Sequence, residues 1–107
     1  MSLDVSLMRV QPCEVYTANI THNLTGMAEE AGIYTHLWRP EEIGITHAYQ
    51  LIEPLKAALK QLRGDPERFD KHNPNNGWGN YHVFVQFLER YLAACEDKPD
   101  CTINISR

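Results

Sequence analysis

The chain lacks any run of about 18 apolar residues, which excludes a membrane-spanning helix of ordinary length. It also lacks a block of lysines and arginines. A dedicated nucleic-acid binder carries a basic stripe to meet phosphates, so that class is not expected. Cysteine is scarce: Cys13, Cys95 and Cys101, an odd number with no C-x-x-C pair. Neither a disulfide framework nor a zinc site follows from that pattern. Cys95 and Cys101 flank a five-residue turn, residues 96–100, so their pairing stays open; otherwise they serve as small buried hydrophobes. The histidines (His22, His36, His47, His72 and His82) form no H-x-x-x-H or H-E-x-x-H spacing. G-x-S-x-G, P-loop and G-x-G-x-x-G patterns are missing too. No nucleophile–base pair, metal set or cofactor is therefore implied. The N-terminal residues 1–5 show no basic stretch leading into a long apolar one, so no secretory signal is expected and the cytoplasm is the expected compartment.

What the chain does have is a core. Of its 107 residues 43% are hydrophobic, and its formal net charge is −4. That length predicts one domain, and that composition predicts packing rather than disorder. Period-two alternation predicts strands over 3–10 (Leu3, Val5 and Leu7 against Asp4 and Ser6), over 14–20, and over 101–106. Between the second and third strands the period becomes helical. Leu24, Met27, Ala28 and Ala31 make one stripe, with Asn19 or Thr21 placed to cap it and Gly32 to stop it. Pro40 with Glu41 and Glu42 suits a helix start. Thr46 is placed to cap a longer helix with stripe Ala48, Leu51, Ile52, Leu55, Leu59 and Leu62, and Pro54 inside it predicts a kink or a break. The widest stripe lies over 80–96, including Tyr81, Phe84, Leu88, Tyr91 and Cys95, with Val83, Phe87 and Ala94 broadening it. It predicts the most buried helix. The order β-β-α-α-α-β fits an α+β fold, a small, mainly antiparallel three-stranded sheet packed by helices on one face. A chain of this size would gain burial from a partner chain, so a homo-oligomer is allowed for.

Three polar and aromatic clusters stand outside the stripes. Asn19, Thr21, His22 and Asn23 lie where a strand runs into a helix N-terminus, a place suited to an anion or simply to capping. Trp38 and Arg39 offer a flat ring and a bidentate fork; equally, Trp38 fits the core with Arg39 paired to Glu41 or Glu42. Asn76, Trp78, Asn80 and His82 surround a Gly-Trp-Gly loop that enters the last helix; the glycines would let a backbone approach a ligand, or Trp78 would plug the core.

The segments N-I-T-H-N-L (19–24), M-A-E-E-A-G-I-Y (27–34) and L-W-R-P-E-E (37–42), with the loop N-G-W-G (76–79), resemble small bacteriophage and prophage proteins that have no assigned activity. The resemblance implies an accessory role against host defence, by sequestering a signalling nucleotide or by capping a host protein.

Together these features predict a non-enzymatic binding protein holding an anionic, nucleotide-like molecule among the three clusters. The alternative is an acidic protein–protein inhibitor or immunity-type factor that meets a basic host protein through Glu29, Glu30, Glu41, Glu42, Glu89 and Glu96. A third class is a small hydrolase or transferase with His22 or His82 as general base. Neither nucleic acid nor membrane is expected as a partner.

Overall fold

The computed structural model describes residues 2–8, 14–21, 24–65, 69 and 81–106. Three strands, β1 (Ser2–Met8), β2 (Glu14–Thr21) and β3 (Thr102–Ser106), form an antiparallel sheet in the order β2-β1-β3. Helices α1 (Thr25–Glu30), α2 (Tyr34–Trp38), α3 (Ile52–Gly64) and α4 (Tyr81–Asp97) pack on it, and the fold is α+β. Two short 3-10 turns, Pro40–Ile43 and Ala48–Leu51, lie between α2 and α3.

Register explains which residues meet the helices. Leu3, Val5 and Leu7 of the central strand are fully buried. Leu7 lies between Tyr16 of β2 and Ile103 of β3, and Val5 between Ala18 and Ile105, so the apolar positions form cross-strand rows on one face. The opposite face carries the row Asn19, Asp4, Ser106, all exposed.

The α1 stripe of Leu24, Met27, Ala28 and Ala31 is buried as its spacing requires, and Gly32 ends the turn at φ 74°. Its cap differs from expectation. β2 runs on through Thr21, and the N-cap position falls on Leu24 with no side-chain bond, so neither Asn19 nor Thr21 caps α1. Strand pairing with β1 holds those residues extended instead.

Two details between α2 and α3 likewise depart from the sequence pattern. His47, rather than Thr46, is the N-cap of the 3-10 turn, in a reciprocal capping box with Gln50. Pro54 causes no kink within a helix, because α3 begins only at Ile52. Its missing N–H falls in the first turn, where an intrahelical partner would be absent anyway. The break lies before it, between the 3-10 turn and α3.

Helices α3 and α4 run antiparallel, tied by Lys56–Glu96 at 3.8 Å and Arg63–Glu89 at 3.2 Å, and the Tyr81 hydroxyl donates to the Leu62 carbonyl at 2.6 Å. Phe84, Phe87, Leu88, Tyr91 and Cys95 of α4 are buried between α3 and the sheet. Val83, expected to broaden that buried stripe, is instead 44% exposed, because it sits beyond the margin of the sheet.

Candidate functional site

The described residues include only part of the three sequence clusters. His22, Asn23, Asn76, Trp78 and Asn80 lie outside the described residues. Thr21 ends β2, and Asn19 is exposed on the same strand. Trp38 is only 2% exposed and stacks on Tyr34, ring centroids 5.4 Å apart, so its ring belongs to the core. Arg39 is exposed and donates to Glu42 at 3.2 Å. His82 is exposed in the first turn of α4, edge-on to Tyr81. Among the described residues, no group of three His, Cys, Asp or Glu side chains is placed to hold a metal ion. No helix among them is long and apolar enough to cross a membrane.

Three of the six glutamates offered for a basic host protein pair with the chain's own cations. Glu42 pairs with Arg39, Glu89 with Arg63 and Glu96 with Lys56.

A different region gathers the chemistry: the flank where the outer edge of β2 runs beside α4. A hollow of about 130 Å³ lies there, lined by Tyr16, Ala18, Asn19, Val83, Phe87 and Arg90. On the other side of Tyr16 a wider shelf of about 440 Å³, largely open to solvent, is lined by Arg90, Ala93, Ala94, Asp97 and Lys98. Tyr16 and Arg90 belong to both. Local structure puts them there. Tyr16 is on the core face of β2 but at the sheet's margin, so it is only partly covered. Val83, Gln86, Arg90, Ala93 and Asp97 recur at three- or four-residue intervals along one face of α4.

Beneath Tyr16 lies Tyr91, fully buried, with near-parallel rings (8°) and centroids 6.1 Å apart. Burial, foremost, together with Cys95 and Tyr16 pushes the Tyr91 phenol up, so it stays a neutral donor. Its hydroxyl has no hydrogen-bond partner. Tyr16 is also raised, chiefly by burial and then by Cys95, with Arg90 working the other way. Cys95 is a free thiol pushed up to about 12 by burial and by Glu96. A thiol held that high is protonated at neutral pH and makes a poor nucleophile. Cys101 is also free and buried.

Among the described residues, Asn19 is the one sequence candidate that lines this flank. Tyr16 and Arg90 were missed because each looked ordinary in its own segment, an apolar strand position and a polar helix position. Only their helix–strand juxtaposition makes a site. The chain matches no family model, no curated protein and no solved structure.

Proposed function

We propose that this chain is a non-enzymatic binding protein that takes an extended segment of a partner protein as an added strand on β2. The observation that carries this is the outer edge of β2. It is an eight-residue strand whose far side is reached by no other strand among the described residues. Its backbone groups, unpaired on that side among the described residues, offer the hydrogen bonds of strand addition, and the hollows on either side of Tyr16 offer places for alternate side chains. Enclosed cavities of small-molecule sites hold most of a ligand's surface. Here the spaces are a side-chain-sized hollow and an open shelf, a geometry that suits a protein segment better than a buried nucleotide. Arg90 makes no ion pair among the described residues, and Lys98 pairs only with its neighbour Asp97 at 3.6 Å. The favoured segment is therefore acidic.

The test uses fluorescence anisotropy with eight-residue peptides that alternate valine or threonine with aspartate, and with matched lysine versions. Acidic peptides should bind, and amide exchange should slow along β2. Ala93→Trp, which fills the open shelf from an exposed position, and Arg90→Glu should each weaken binding about tenfold or more. Binding of the basic peptides alone, or unchanged exchange on β2, contradicts the proposal.

A second reading, capture of a small anionic molecule in a phage accessory role, is favoured by the corner at α2. There Tyr34 covers Trp38, Arg39 is exposed beside it, and a hollow lined by Glu29, Gly32, Tyr34, Thr35 and His36 adjoins. Tyr34 then takes the stacking place that the spacing suggested for Trp38. Titration calorimetry against nucleotides and cyclic nucleotides tests it. Arg39→Ala should leave the fold intact and lower affinity roughly 10- to 150-fold, the loss of a charge-assisted bidentate contact.

A further inference from the structure

Tyr91 poses a specific chemical question. A buried hydroxyl without a partner carries an unrecovered desolvation cost, and native interiors leave few such groups. This one lies under a half-buried ring, Tyr16, that forms the partition between two surface hollows. The contact that holds the partition closed is a single near-parallel ring stack, with centroids 6.1 Å apart. Turning Tyr16 about its Cα–Cβ bond would join the hollows and expose the face of the Tyr91 ring that it now covers. The wall of the joined space carries one cation without an ion pair among the described residues, Arg90, and apolar surface from Phe87 and Ala94.

We infer that the place Tyr16 leaves on turning is a carboxylate subsite, in which Arg90 pairs with a carboxylate borne on a small apolar body and the Tyr91 hydroxyl donates to it. The ligand class deepens the strand-addition reading and rests on it for its biological occupant, an acidic side chain or a chain-terminal carboxylate of the docked segment. The chemistry is complementary in each part. The guanidinium supplies charge and paired donors, the phenol supplies a neutral donor that burial keeps protonated, and the aromatic floor receives the apolar body. Tyr16 is the positioning residue that closes the subsite when it is empty.

The probe is benzoate, with benzamide as its neutral counterpart, titrated into the full chain and followed by the ring and guanidinium resonances of Tyr16, Tyr91 and Arg90. Benzoate should shift all three, and benzamide should bind about tenfold more weakly or not at all. Tyr91→Phe should raise the melting temperature of the free protein, because it removes an unsatisfied polar atom, and yet weaken benzoate about tenfold. A purely structural tyrosine would move only the first readout. Arg90→Gln, an exposed change with little effect on folding, should also abolish the preference for benzoate over benzamide. Unshifted Tyr91 and Arg90 resonances, or equal benzoate affinity in Tyr91→Phe and wild type, overturns the subsite, even where acidic peptides still bind β2. Benzoate binding without any peptide binding supports the subsite and instead removes the strand-addition reading.

Discussion

The two edges of the sheet are treated differently. The outer side of β3 is closed by the chain itself: Ile103 donates to the Thr46 carbonyl at 2.9 Å, Ala48 donates to the Cys101 carbonyl at 2.9 Å, and His47 bridges Thr102. Gln50 locks that covering segment, accepting from the backbone N–H of Thr46 at 2.8 Å and of His47 at 2.9 Å while donating to the Gly44 carbonyl. The outer side of β2, the longer strand, receives no such cover among the described residues and lies beside two hollows and an arginine. Open strand edges invite pairing, and stable proteins guard them with lysine, proline or a covering loop. β2 carries none of the first two, and the register irregularity in its pairing with β1 falls at its first residues, between Glu14 and Tyr16. An edge covered on one side and, among the described residues, left available on the other supports the strand-addition proposal.

Four measurements would break or sharpen that contrast. The largest effect belongs to α4, the wall common to the core and to the open flank. Leu88 is fully buried there, so Leu88→Ala should cost about 2–5 kcal/mol, read from the midpoint of a denaturant melt. A loss below about 1 kcal/mol would mean that α4 buries a different face.

Next, Arg90→Glu should reduce binding of the acidic peptide about tenfold or more while leaving the melting temperature nearly unchanged, because exposed charges contribute little to folding. Equal affinity would move the site away from this flank.

On the closed edge, Gln50→Ala removes the lock of the covering segment and should cost about 1–2 kcal/mol. Hydrogen exchange should speed up at Ile103 and Ala48 and stay unchanged along β2. Acceleration at β2 as well would show that the two edges are coupled rather than independent.

The smallest effect is a pH dependence at the α2 corner. Burial lowers the His36 pKa below its ordinary 6.5, and Nδ1 is buried without a partner. The unfolded chain therefore takes up the proton first on acidification. Stability should be level above about pH 6.5 and decline as pH falls below it, and thermal melts of His36→Gln should lose that slope. Glu29, which lines the same hollow, is the nearby acid that would soften it. A wild-type slope unchanged in the variant would assign the dependence to other groups.

Much of this fold was legible in the sequence because repetition over whole segments carries it. Leu3, Val5 and Leu7 alternate, and α4 repeats its apolar residues across several turns, so each pattern is supported many times. Caps were less legible. Thr46 and His47 are adjacent and both polar, and which one caps depends on Gln50 reaching back, a one-residue matter of backbone geometry. The candidate site was the least legible. Asn19 could be picked out for its amide, but nothing local marks Tyr16 as a partition or Arg90 as its neighbour.

The sequence alone determined the three strands, the longer helices with most of their apolar faces, the turn at Gly32, and the absence of motifs for the common catalytic chemistries, since these follow from local spacing and backbone preference; the short helix α2 it did not mark. Tertiary structure alone decided that Trp38 would be buried behind Tyr34, that Val83 would be left out of the core, and that the Tyr91 hydroxyl would lie partnerless beneath Tyr16. Each of those depends on which residues from distant segments come together. Tyr16 and Tyr91 lie far apart along the chain and meet only because α4 packs across the edge of β2.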